Sequence, residues 1–295
     1  MDILYGVNCM SIYFQLFLAS FFWGSNIIVM KLLLHHLPFL FLAFLRVLFS
    51  FVFLGIYLYF HHISLNNFDK KKMLIISLLS IYLNFFLTFI GMNQVKGIDN
   101  ALMNALSPTI TFLLSLLFLK YHLSLKEWMG MFLSLFAFLL SIRFQIFSIQ
   151  SGFYYLLAGM TLYILGNIVI QKWHIEPSIS FTFYELLYGS LFLWIHSWVD
   201  GQLAFDRLLT LPLWQWGLFL MISGVGFAYI QVTYMKAIAQ IGAVQTSFFL
   251  SLNPIFTYLE SLVFLQEPFD FIHFVSFLLL ILALIITKQQ NKDKE

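Results

Sequence analysis

The stretch Leu106–Leu119, LSPTITFLLSLLFL, returns without a gap 146 positions later as Leu252–Leu265, LNPIFTYLESLVFL. Leu106, Pro108, Thr111, Leu113, Ser115, Leu116, Phe118 and Leu119 each meet their own residue type in the second copy. Leucine and phenylalanine matches are cheap in an apolar chain; the proline, threonine and serine matches are not. Each copy predicts a hydrophobic helix interrupted by its proline, Pro108 or Pro254. A proline removes one backbone donor and frees the carbonyl four residues earlier, here at Asn104 and Leu250. In hydrocarbon a freed carbonyl is tolerated only against protein, water or a ligand. Matching broken segments in two halves of a chain point to a transporter's binding site.

The residues around the prolines are patterned. Asn100, Asn104, Ser107, Thr111 and Ser115 follow one another at spacings of 4, 3, 4 and 4, which puts them on one helical face. The second copy places Thr246, Leu250, Asn253, Thr257 and Ser261 at the same offsets, with Glu260 at the edge of the stripe. A seam of small polar residues between membrane helices would use the same spacing. Such a seam needs neither a central proline nor a carboxylate at its edge.

The solvent of this fold is a bilayer. Of the 295 residues, 61% are hydrophobic and 9% charged, more apolar surface than a soluble domain of this length can cover. The net charge of +2 is spread over short junctions, so nucleic acid is not implied. A single cysteine, Cys9, excludes an internal disulfide and a cysteine-rich metal site. Asp2 and the lack of a basic cluster argue against a cleaved signal peptide. Ten segments are cut by charged or turn-rich junctions: 11–30, 38–60, 73–93, 100–120, 127–142, 152–171, 178–199, 213–236, 243–265 and 269–287. Most approach the ~20 residues that span the hydrocarbon. The expected fold is all-α, with ten transmembrane helices and no appended soluble domain.

Basic residues orient the bundle. With the N-terminus inside, the inner side holds ten lysines, Lys70 to Lys72 and the tail among them, and the outer side holds Lys31, Lys96, Arg143 and Arg207. Both termini are therefore expected in the cytoplasm. Five helices per half then make the repeat inverted, with halves at 1–147 and 148–295. A second match supports the duplication: Ser25–Lys31 pairs with Gly166–Lys172 at an offset of 141.

The motif Phe22-Trp23-Gly24-Ser25-Asn26, together with Arg46, Ile241-Gly242-Ala243, Asn253-Pro254 and Leu265-Gln266-Glu267-Pro268, resembles the drug/metabolite transporter superfamily, in its ten-helix EamA-type branch. The resemblance covers nearly the whole chain. It implies a central cavity lined by helices 1, 3, 4, 6, 8 and 9, with helices 5 and 10 peripheral, and small metabolites as substrates. Lys120-Tyr121 departs from the family's Gly-Glu pair after the fourth helix, although Glu267 keeps the acid in the second half.

Three ionisable side chains sit inside spans: Arg46, Glu185 and Glu260. A mid-membrane charge costs about 2.5–3.5 kcal/mol on insertion scales, so each should face a cavity or a partner. Arg46, roughly 12 Å into helix 2, shares its depth with Glu260 and is expected as an ion pair or carbonyl clamp. Glu260 stands between coupling site and structural pair, and Glu185 should face Tyr188 or the neighbouring bundle. Cavity candidates are Trp23, Asn84, Thr88, Asn104, Ser107, Thr111, Tyr163, Gln231, Tyr234, Asn253 and Thr257. No His-x-x-x-His pair occurs among the eight histidines, so neither metal nor cofactor is expected. No hydrolase elbow, metalloprotease motif or phosphate-binding loop occurs, which disfavours an enzyme and an ATP-driven pump.

The reading that follows is a secondary transporter of small metabolites working by alternating access, in a bacterial cytoplasmic membrane, as a monomer or homodimer. An amino acid or similar zwitterionic or neutral solute, exported, suits the hydroxyl and amide lining, with the proton as candidate coupling ion. The alternatives are a non-transporting scaffold, an intramembrane enzyme using Glu185 and Glu260, or a carrier of a cationic or aromatic compound.

Overall fold

The computed structural model describes residues 11–96, 100, 103–144, 151–176, 178–266 and 268–288. Cys9, Glu267 and the tail beyond Lys288 lie outside the described residues. Ten long helices account for the described chain: α1 (Ile12–Leu34), α2 (Phe39–Phe60), α3 (Lys70–Gln94), α4 (Asn104–Leu119) and α5 (Leu125–Ser141) in the first half. The second half holds α6 (Ser151–Lys172), α7 (Ile179–Val199), α8 (213–241), α9 (243–264) and α10 (Phe271–Lys288). A single-turn helix, Phe205–Leu209, lies in the loop before α8.

Local chemistry sets the helix ends. Ser11 and Ser178 accept the N–H groups of Phe14 and Phe181, and Asp69 accepts those of Lys71 and Lys72. Ser124 and Glu127 form a reciprocal capping box at α5. Pro38 and Pro212 stand immediately before α2 and α8, where a missing donor costs nothing. Phe14, Phe132, Trp198, Leu117 and Val263 are exposed around the bundle, the surface that hydrocarbon covers.

The packing repeats between the halves. Helix α1 packs on α8 and on α9, as α6 packs on α3 and on α4. Helices α2 and α7 pair with each other, and so do the peripheral α5 and α10. Every pair maps onto its counterpart when α1–α5 are exchanged for α6–α10. This is an integral membrane bundle of two inverted five-helix repeats.

Both halves also carry a π-helical segment at the same offset of 141, Leu78–Leu83 in α3 and Phe219–Val225 in α8. A π turn leaves backbone carbonyls without their usual partners. In α8 they are met from other helices: Asn26 Nδ2 donates to Ile222 O at 2.9 Å, and Ser50 Oγ lies 3.1 and 2.9 Å from the carbonyls of Ser223 and Gly224. In α3 the cover is local, Asn84 Nδ2 donating to Ser80 O at 2.9 Å.

The prolines differ from expectation in place. Pro108 and Pro254 stand in the first turn of α-helical segments, Ser107–Leu119 and Asn253–Phe264, so the break precedes each of them. In α4 a 3₁₀ turn, Asn104–Leu106, carries the break, and the Asn104 carbonyl accepts the N–H of Ser107 rather than standing free. In α9 the break is at 251–252, where Phe249 O accepts from Leu252 N at 3.1 Å and from Ser20 Oγ of α1 at 2.8 Å. A third interruption, at Gly242, separates α8 from α9: its φ of 81° and ψ of 162° belong to glycine alone.

Candidate functional site

A small cavity of about 60 Å³ lies between the halves. Helix α1 contributes Trp23 and Ile27, α2 contributes Arg46, and α3 contributes Asn84, Phe85, Thr88 and Met92. Asn100, Met103 and Asn104 come from the approach to α4, Leu156, Met160 and Tyr163 from α6, and Leu250 from α9. Expected and observed walls differ at two helices: α2 reaches the cavity through Arg46, and α8 supplies none of the lining residues.

Arg46 is 5% exposed, and its guanidinium carbon sits 4.6 Å from the ring centre of Phe85 and 4.2 Å from that of Phe227. Two ring faces stabilise a cation without neutralising it. The expected ion pair with Glu260 is not formed; among the described residues no carboxylate pairs with Arg46, and its Nε has no hydrogen-bond partner. Asp99, next to Asn100 in sequence, lies outside the described residues.

A hydrogen-bonded ladder runs down α3 beside the cation. Thr88 Oγ1 donates to Asn84 Oδ1 at 3.1 Å, and Asn84 donates in turn to the Ser80 carbonyl of the π segment. Helix α6 approaches closely enough to matter here. A Cβ on Gly159 would fall 2.6 Å from Thr88 Oγ1, and one on Gly166 would fall 2.9 Å from Ser80 Cβ. At another wall, Trp23 meets the rings of Tyr163 and Tyr234 edge-on, each with centroids 5.6 Å away.

Of the residues singled out from sequence, Trp23, Asn84, Thr88, Asn104, Tyr163 and Arg46 line the cavity. Ser107 and Thr111 are buried on the predicted face of α4 but are not among its lining. Tyr234 stands behind Trp23, and Gln231, one turn earlier, is fully buried with neither amide atom partnered. Asn253 and Thr257 belong to the α1–α9 seam, where Thr257 Oγ1 lies 3.2 Å from Gly24 O and 3.1 Å from Asn253 O.

Glu260 departs furthest from expectation. It leaves the cavity side and meets Ser25 Oγ of α1 at 2.5 Å, half-buried beside the exposed Leu259 and Val263. Glu185, expected to face Tyr188 or the neighbouring bundle, meets Ser80 Oγ of α3 in the other half at 2.5 Å. Ser80, Ser50 and Ser20 escaped the sequence reading because an isolated serine in an apolar helix carries no signal of its partner. The one available hint was Ser80 standing four residues before Asn84.

The sequence model of the EamA-like transporter family matches residues 10–143 and 150–288. The uncharacterized transporter YyaM of Bacillus subtilis (strain 168) is 24% identical over 182 residues, 59% of each chain. The uncharacterized transporter YetK of the same organism is 22% identical over 97% of this chain and 89% of its own. The chain thus spans about three fifths of the first relative and most of the second. A solved structure described only as the crystal structure of a protein shares the fold, with a TM-score of 0.67 at 13% identity, over 97% of this chain and 98% of that one.

Proposed function

The chain belongs to the EamA-like transporter family, multi-pass membrane transporters of small molecules, and on that premise we propose that it carries an amino-acid-like zwitterion by alternating access, exporting it from the cytoplasm. One observation carries the substrate class: Arg46 lines the cavity as a buried cation with no carboxylate beside it among the lining residues. A buried, permanently charged guanidinium is stabilised most by a planar carboxylate that accepts two of its donors. A single cation suits a monocarboxylate and not a dianion.

The rest of the wall fits the remainder of such a solute. Asn84, Asn100, Asn104 and the rings of Trp23 and Tyr163 supply amide oxygens and π faces for an ammonium group. Met92, Met103, Met160 and Leu156 supply adaptable apolar contacts for an aliphatic or aromatic side chain. The halves 1–147 and 148–295 act as the two rocking units, and the lysine bias supports both termini in the cytoplasm.

Counterflow in proteoliposomes tests the substrate reading, with radiolabelled L-phenylalanine and L-leucine against L-lysine and succinate. Exchange of the first two, lost in Arg46→Gln, is expected. Exchange of L-lysine or succinate alone, or full exchange in the variant, overturns the assignment. Cysteines placed at His62 and at Gly201 in a Cys9→Ser background test orientation. An impermeant reagent outside intact cells should label the second position and not the first.

A further inference from the structure

A hydroxyl has one proton to give, and Ser80 stands at hydrogen-bonding distance from two acceptors. Its Oγ lies 2.7 Å from the Ile76 carbonyl and 2.5 Å from Glu185 Oε1. That one proton is shared between Glu185 Oε1 and Ile76 O, so the carboxyl receives at most a single hydrogen bond from Ser80. Ser25 Oγ stands in the same way 2.5 Å from the Glu260 carboxyl and 3.1 Å from Phe21 O, but Glu260 is only half-buried.

The surroundings of Glu185 agree with a neutral acid. The residue is fully buried, and its Oε2 has no partner. A buried carboxylate oxygen left bare costs more than a bare carbonyl oxygen of the acid. Among the described residues no cation pairs with it. The titratable groups on the helices packed against α7 are Tyr82 and Lys70 to Lys72 on α3, Arg46, Tyr57 and Tyr59 on α2, and Tyr229, Tyr234 and Lys236 on α8, while Tyr163 on α6 is in electrostatic reach of the carboxyl. Of these, Arg46 is held by Phe85 and Phe227, Lys72 lies over Trp173, and Tyr82 is bonded to His196.

The carboxyl is also wired to the cavity. Thr88 and Asn84 connect the cavity wall to the Ser80 carbonyl, and the hydroxyl of the same Ser80 meets Glu185, so the link passes through the backbone of the π segment of α3. We propose that Glu185 is the proton-carrying site of this transporter and that Ser80 and Asn84 link its occupancy to substrate in the cavity. This rests on the transporter reading above. Moving Asn84 or Thr88 toward a solute shifts the π turn and with it the Ser80 hydroxyl bonded to the carboxyl. In the opposite conformation the carboxyl O–H bond breaks, its electron pair stays on Glu185, and the proton passes to water at the end of the bundle near Ser178. Glu185 is six residues from Ile179, about 9 Å along α7.

Two independent measurements test this. In infrared difference spectra of the reconstituted protein, ¹³C-labelled at glutamate, a protonated-carboxyl band is expected at neutral pH. Glu185→Gln should remove that band, Ser80→Ala should shift it to higher frequency, and Glu260→Gln should leave it in place. A band that survives Glu185→Gln overturns the proposal. In vesicles, Glu185→Gln should keep counterflow of L-phenylalanine and lose its accumulation under an imposed pH gradient. Gradient-driven accumulation equal to wild type in the variant, or gradient-independent transport in the wild type, also overturns it. Wild-type protein that exchanges none of the four probe solutes instead defeats the substrate reading, and the infrared bands then decide the proton site alone.

Discussion

Gly24→Ala tests the close approach of α1 to α9. A Cβ at Gly24 would lie 2.7 Å from Phe256 Cβ, 3.0 Å from Asn253 O and 3.0 Å from Thr257 N. Two of those atoms are backbone and the third is the root of its side chain, so no rotamer change relieves the contact. Helices α1 and α9 must separate, which also stretches the 3.2 Å bond from Thr257 Oγ1 to Gly24 O. Overpacking of this kind costs about 1–3 kcal/mol. Helix propensity works the other way, favouring alanine over glycine by about 1 kcal/mol. Gly217→Ala isolates that second effect, since nothing lies within 4 Å of a Cβ there. The difference between the two variants is then the packing cost alone. At about 2–4 °C per kcal/mol for a chain of this order, Gly24→Ala should melt at least 2 °C below Gly217→Ala. Thermal unfolding of both proteins in the same detergent, followed by tryptophan fluorescence, reads the difference. Equal melting temperatures would show that α1 and α9 do not meet at Gly24.

Three further outcomes are expected. Gly242→Ala has room for its methyl, 3.5 Å from Gln171 Nε2, yet must hold φ near 81°, so it should lose about 1–3 kcal/mol of stability through the backbone alone in the same melt. Ser20→Ala removes one donor from Phe249 O at the α9 break and leaves the Leu252 N–H in place, so it should cost about 0.5–1.5 kcal/mol, and Pro254→Ala, in a first turn where proline is merely tolerated, should stay within about 1 kcal/mol of wild type. Asp270, before α10, is held below the ordinary carboxylate range: partial burial pushes it up, but the Ile272 N–H, the Arg143 guanidinium and His273 outweigh that. Its stabilisation is therefore present above the unfolded carboxyl value of about 4 and fades as pH falls through the lower folded one. Because the pair is largely exposed, Asp270→Asn should remove no more than about 1 kcal/mol of acid-sensitive stability, read as a flatter melting curve against pH between about 5 and 3.

What the sequence determined follows from interactions along one helix or with the solvent. Apolar runs near the span of a bilayer can only be membrane helices, and an odd number of them per half makes the duplication inverted. Pro108 and Pro254 located the breaks to within a few residues, because a missing donor acts on its own turn whatever surrounds it. Trp23, Asn84, Thr88, Asn104, Tyr163 and Arg46 reached the cavity as polar or amphipathic groups with no other use in lipid. Tertiary structure decided how the helices are rotated against one another, and with that every long-range partner. Glu260 and Ser25 are 235 residues apart, Glu185 and Ser80 are 105 apart, and neither distance is encoded in a local pattern. The same holds for the π segments of α3 and α8, whose loosened carbonyls persist because Asn26, Ser50 and Asn84 cover them. A polar group inside a membrane must find a partner. Its own sequence states that need, and the neighbouring helix supplies the atom that meets it.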